Sequence, residues 1–175
     1  MEVPTLELKK FIRDIPDFPE KGIIFRDITP LLKNPEAFNF AIDQLVNKLK
    51  EIEFNTIVAP EARGFIFGGA LAYKLGKGLV PVRKPGKLPY KVISEKYSLE
   101  YGEAELQMHI DAISQGEKVI IFDDVLATGG TALALKKLVE KAGGEVVSMA
   151  FLIELTYLNP RKLLSKENII SLITY

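Results

Sequence analysis

Apolar positions along the chain switch between two periods. Leu8, Phe11, Ile12 and Ile15 share one helical face that Pro16 ends, which predicts an opening helix. Asp17 to Leu32 has no steady period and contains Pro19, Gly22 and Pro30, so it reads as a loop. Its Ile23, Ile24 and Phe25 are nevertheless too apolar for an idle surface segment. Asn34-Pro35 is a capping side chain followed by a first-turn proline, and Phe38, Ile42, Leu45 and Leu49 line the face of the helix they start. Beyond it, short strands alternate with helices. Thr56 to Ala59 is followed by a helical run from Phe65 to Leu75, then by a strand from Leu79 to Val82. Leu88 to Glu103 has little helical period and reads as a long excursion or hairpin, and Ala104 to Ile110 as a strand.

The clearest unit starts at Val119. Val119, Ile120, Ile121 and Phe122 form an unbroken, β-branched-rich run suited to a strand covered on both faces of a parallel sheet. Asp123 and Asp124 stand at its carboxyl end. From Ala132 the period becomes helical, through Leu135, Leu138, Val139 and Ala142, until Gly143-Gly144 stops it. Glu145 to Leu155 is a further apolar strand, and Pro160 to Tyr175 reads as helix then strand. The alternation predicts an α/β fold built as a single domain over residues 1–175.

Composition narrows the chemistry. The 175 residues carry 23 Lys plus Arg against 23 Asp plus Glu, so no global field draws nucleic acid or an anionic membrane, and an anion site must be built locally. Basic residues do cluster from Arg83 to Lys91. With no cysteine there is no disulfide or thiol nucleophile, and a catalytic metal would need oxygen ligands, which points to magnesium. The single histidine, His109, lies in the alternating segment AELQMHID and reads as a strand residue. No stretch approaches a membrane span and the first residues have no leader pattern, so a cytoplasmic protein is expected.

The turn Ala127-Thr128-Gly129-Gly130-Thr131 falls between strand and helix. It offers backbone N–H groups at the positive end of a helix dipole, glycines that allow close approach, and two hydroxyls. It lacks the lysine of a Walker loop and the spacing of a dinucleotide fingerprint, so it suits one phosphate monoester, with the two aspartates facing a neighbouring sugar.

VIIFDDVLATGGT, from Val119 to Thr131, resembles the phosphoribosyl pyrophosphate (PRPP) signature of the type I phosphoribosyltransferases. Four more segments resemble the members of that family that use adenine: DFPEKGIIFRDITPLL, EARGFIFG, VRKPGKLP and YSLEYGEAELQMH. The resemblance implies a mainly parallel five-stranded sheet flanked by helices, with residues 1–34 forming a small hood over the base site. It implies transfer of the 5-phosphoribosyl group from PRPP to adenine, giving AMP and pyrophosphate, in a homodimer. It also implies roles for residues. Glu100 would be catalytic; Ala127, Thr128, Gly129, Gly130 and Thr131 would hold the 5-phosphate, and Asp123 and Asp124 the ribose. Arg63, Arg83 and Lys87 would meet pyrophosphate, Arg83 that of a neighbouring subunit. Phe25 would stack on adenine opposite Leu155, with main-chain groups of Ile24 and Arg26 reading its edge. Magnesium would be carried mainly by PRPP, since the sequence offers no all-protein cage of acids. Taken without the resemblance, Phe25 is an ordinary core aromatic, Arg63 a surface ion-pair residue and Glu100 one surface acid among many. Two other readings keep the PRPP turn: a 6-oxopurine substrate, or a PRPP-sensing regulator without catalysis.

Overall fold

The computed structural model describes residues 7–98 and 102–175 and divides the chain into two compact units, Met1–Gln44 and Leu45–Tyr175.

In the first unit the predicted opening helix is replaced by a 3-10 turn at Leu8–Phe11 and a strand, β1 (Arg13–Pro16). β1 pairs antiparallel with β2 (Ile24–Asp27), so the stretch read as a loop also contains a strand, and then a short helix, α1 (Thr29–Lys33). Ion pairs cross this ribbon, Arg26 Nη1 to Asp14 Oδ1 at 2.5 Å and Arg13 Nη1 to Asp27 Oδ2 at 3.6 Å. The helical spacing was misleading because cross-strand pairing with residues about ten positions on outweighs local periodicity. The next helix, α2 (Pro35–Leu49), starts where the sequence predicts, and Asn34 Oδ1 accepts the Ala37 N–H at 2.9 Å as its cap.

The second unit is a five-stranded, all-parallel sheet. Its strands are β3 (Thr56–Pro60), β4 (Gly78–Val82), β7 (Lys118–Leu126), β8 (Glu145–Glu154) and β9 (Ile169–Thr174), in the order β4-β3-β7-β8-β9. Helix α3 (Arg63–Leu75) joins β3 to β4, α4 (Gly130–Lys141) joins β7 to β8, and the four-residue α5 (Pro160–Leu163) precedes β9. The excursion is a hairpin, β5 (Val92–Ser98) against β6 (Glu103–His109), and Lys137 and Lys141 of α4 both reach Glu95 on it.

Burial explains the strands. Every residue of β3 is buried, and so is every residue from Ser148 to Glu154 in β8, as a central parallel strand requires. Helix α3 comes close to the sheet because Gly68 has no side chain: a Cβ there would stand 3.0 Å from the Ala59 Cβ. Stacked rings of Phe67 and Phe122, 5.9 Å apart, tie the same helix to β7.

Candidate functional site

The chain leaves β3 toward β4 on one side of the sheet, while β7, β8 and β9 extend on the other. The strand order therefore reverses between β3 and β7, and ligands of open α/β sheets bind at the carboxyl ends of strands at such a point. Ladder pairing between these two strands runs only from Thr56↔Val119 to Val58↔Ile121. The residues beyond it, with the turns that follow, form the crevice.

Arg63 and Asp124 meet there. Arg63 is the first residue of α3, and its Nε lies 2.8 Å from Asp124 Oδ2. The two acids are part of β7, which continues to Leu126, instead of following it. Asp123 Oδ1 accepts the Asp124 N–H at 2.8 Å and faces the start of α3, where a Cβ on Gly64 would come within 3.3 Å of it. Burial, and then the neighbouring Asp124 charge, push the Asp123 carboxyl well above the usual carboxylate range; Arg63 pulls the other way.

The turn 127–131 follows directly. Gly129 has φ +94°, a conformation open to glycine, and Gly130 begins α4. The first N–H groups of a helix have no partner within it. Asp123, Thr128, Gly129, Thr131 and Phe151 help line a cavity of about 50 Å³ at this corner. Thr128 is exposed and Thr131 half-buried, with its hydroxyl 3.4 Å from that of Tyr97 on β5. Leu155, buried at the end of β8, donates its N–H to the Leu126 carbonyl at 2.9 Å and so stands beside the same strand end.

Arg83 follows β4 and turns toward β3: its Nε is 3.3 Å from Glu61 Oε1, which also accepts the Lys84 N–H at 2.8 Å. That N–H, with the Arg83 charge, holds the Glu61 carboxyl below its usual range. Lys87 is exposed, and its carbonyl lies 3.5 Å from Arg83 Nη1. Glu61 was missed in the sequence; its only signal is an acid directly after a strand, two residues before Arg63. In the first unit, Ile24 is exposed on β2, Phe25 is half-buried with its ring edge-on to Phe18 at 5.2 Å, and Arg26 is paired with Asp14. Glu100 lies outside the described residues. His109 pairs with Val92 in the hairpin, and its Nε2 is 3.4 Å from the Tyr90 N–H. Among the described residues no group of three or more His, Asp or Glu could hold a metal ion, and no helix is long and apolar enough to cross a membrane.

Comparison with known proteins gives a consistent answer. The family model for the phosphoribosyl transferase domain matches residues 27–171. An adenine phosphoribosyltransferase of Thermosipho africanus is 80% identical over 168 residues, covering 96% of this chain and 99% of that protein. The crystal structure of adenine phosphoribosyltransferase from Thermoanaerobacter pseudethanolicus superposes with a TM-score of 0.95 at 57% identity, covering 97% of this chain and 98% of that one. The Saccharomyces cerevisiae enzyme, complexed with an imino-altritol bisphosphate and adenine, superposes with a TM-score of 0.88 at 40% identity, over 95% and 96% of the two chains.

Proposed function

The chain belongs to the adenine phosphoribosyltransferases of the phosphoribosyl transferase family, which form AMP and pyrophosphate from adenine and PRPP in purine salvage, and we propose that the crevice between β3 and β7 is where this reaction runs. The observation that carries this placement is the Arg63–Asp124 pair at 2.8 Å, which joins a cation and a ribose-type acceptor beside the phosphate turn. The family assignment sets aside the 6-oxopurine and regulator readings.

The roles follow from chemistry. Adenine N9 forms a bond to C1 of PRPP as the bond from C1 to the pyrophosphate oxygen breaks, with inversion, and the N9 proton leaves. The 5-phosphate lies in the Ala127–Thr131 turn, anchoring the reacting carbon from a distance. Asp123 and Asp124 accept from the ribose hydroxyls and favour the positive charge that develops on the sugar. Arg63 and Arg83, with Lys87, face the charge accumulating on pyrophosphate. Phe25 supplies an aromatic face for the base, and the main chain at Ile24 and Arg26 donors and acceptors that separate an amino from an oxo group; Leu155 adds an apolar contact. Glu100 manages the purine proton, a task for which a positioned acid-base group contributes about 10²- to 10⁴-fold.

Magnesium belongs to the same proposal. Asp124 is already committed to Arg63, so the ion fits here chiefly on oxygens of PRPP itself, where it would draw charge from the leaving pyrophosphate. A homodimer is supported by the apolar strip on α3 and β4: Ile66, Tyr73 and Leu79 are 42%, 88% and 38% exposed, beside the strand that leads to Arg83. A second copy of the chain suits that strip, since the same patch can face itself about a two-fold axis. A cytoplasmic location is supported by the substrate, because a polyanion such as PRPP does not cross a membrane unaided.

The test is pyrophosphate release from PRPP and magnesium with adenine, hypoxanthine, guanine or xanthine supplied separately, by the unaltered chain and by Glu100→Gln. Turnover with adenine, and a drop of about 10²-fold or more in the variant, is expected. Undiminished turnover in the variant removes Glu100 from the mechanism.

A further inference from the structure

Helix α5 has only four residues, too few to hold themselves in a helix, so its position comes from tertiary contacts. One is the burial of Leu164, 2% exposed, just after it. The other is Arg161, whose Nε and Nη2 donate to Glu154 Oε1 and Oε2 at 2.7 and 2.8 Å in a planar fork. Glu154 is 1% exposed at the carboxyl end of β8, and the Ser171 hydroxyl of β9 donates to its Oε2 at 2.5 Å. Arg161 is itself 55% exposed, so only the Glu154 carboxylate is buried, and its three hydrogen bonds, two from Arg161 and one from Ser171, tie α5 to the ends of β8 and β9 in one geometry.

What that geometry fixes is the corner of the phosphate turn. A Cβ built on Gly129 would stand 3.3 Å from the Pro160 carbonyl oxygen and 3.5 Å from both Leu163 Cδ2 and Leu164 Cδ1. The backbone of α5 and the two leucines therefore form the wall against which Gly129, at φ +94°, is set. Arg161 itself lines a separate cavity with Thr156, Asn159 and Lys162, so it acts on the turn through α5.

We propose that Glu154 and Arg161 are positioning residues for the 5-phosphate, clamping α5 against Gly129 so that the N–H groups of the turn stay aimed at one phosphate monoester. This rests on reading Ala127–Thr131 as the phosphate turn.

The clamp is tested by measuring ribose 5-phosphate and pyrophosphate binding separately, with steady-state kinetics and far-UV circular dichroism, for Arg161→Met, Arg161→Lys and the turn variant Thr128→Val. Arg161→Met should weaken ribose 5-phosphate about tenfold while pyrophosphate changes less than about twofold, and KM for PRPP should rise with little change in kcat. Arg161→Lys keeps the charge but not the fork and should fall between. An equal loss for both ligands, or none for ribose 5-phosphate, overturns the clamp. If Thr128→Val weakens ribose 5-phosphate and Arg161→Met does not, the clamp alone fails. If neither does, the reading of the turn fails and the clamp with it. Should Arg161→Met not fold, Leu163→Ala leaves the Glu154–Arg161 pair intact while trimming the wall. The same selective loss supports the clamp, and its absence overturns it.

Discussion

Adjacent glycines in the turn proposed to hold the 5-phosphate should respond differently to the same substitution. Gly129 has φ +94° and ψ −6°, and an alanine Cβ there would stand 3.3 Å from a backbone oxygen, Pro160 O, which is part of a helix and has little room to retreat. The strained backbone alone costs about 1–3 kcal/mol. Gly130 is the first residue of α4, and the nearest atom to its Cβ would be Tyr97 Cδ2 at 3.7 Å, ordinary contact distance. Alanine there is worth up to about 1 kcal/mol over glycine in a helix interior, and less at the first position. Urea unfolding should therefore show Gly129→Ala destabilised by about 1–3 kcal/mol and Gly130→Ala within about 0.5 kcal/mol of the unaltered chain or slightly above it. Should the turn of Gly129→Ala relax to negative φ instead, stability would be kept and the phosphate cradle lost, so ribose 5-phosphate binding must be measured on the same samples. Gly129→Ala with unchanged stability and unchanged ribose 5-phosphate affinity would refute the geometric argument.

Asp123→Asn tests the half-buried acid beside Asp124: the folded pKa is raised, so its contribution to stability is present below the unfolded value and lost as pH rises through the folded one. The ligand-free variant should therefore melt higher than the unaltered chain near neutral pH, by a margin that shrinks toward about pH 4, while turnover falls about 10²-fold; a lower melting point near neutral pH would contradict this. Glu61→Gln removes the charge that competes for Arg83, and should tighten pyrophosphate by up to about fivefold in a binding titration; weaker binding would show that Glu61 mainly orients the arginine. Ribose 5-phosphate should tighten pyrophosphate by at least about fivefold in calorimetry, and the reverse by the same factor; independent binding would count against a shared site. Tyr73→Lys, on the exposed strip of α3, should turn a dimer into monomers in sedimentation and cost activity, and a sedimentation profile unchanged by the charge would argue against that interface.

How much was legible depended on how local the cause was. β7 and β8 were readable because unbroken apolar runs admit few other readings, and the turn because strand, acids, glycines and helix follow in sequence. The α2 start was readable because Asn34 caps its own helix. Leu8 to Ile15 was misread because β1 is made by pairing with β2, which no local period reports. Glu154 was overlooked for a related reason: an acid ending an apolar run looks like the strand's terminator, and only the return of Arg161 and Ser171 shows it to be buried and triply bonded. Glu61 needed the knowledge that β4 lies beside β3, and the meeting of Arg63 with Asp124, 61 positions on, needed the order β3-β7.

That meeting bears on selectivity. A chain with equal numbers of acids and bases has no global field to gather polyanions, and the two arginines proposed for pyrophosphate are compensated in advance, Arg63 in this crevice by Asp124 and Arg83, after β4, by Glu61. If Arg63 takes its proposed place on pyrophosphate, Asp124, whose side chain is only 7% exposed, would lose that ion-pair partner, and stranding a buried charge costs about 3–5 kcal/mol. A ligand that brings phosphates alone leaves that cost standing. A ligand that brings ribose hydroxyls as well gives Asp124 new donors at the moment the arginine leaves, and its 5-phosphate fixes where they arrive. On those proposed roles the exchange would favour PRPP over pyrophosphate or any other polyphosphate, with the discrimination coming from the paired acid more than from the arginine.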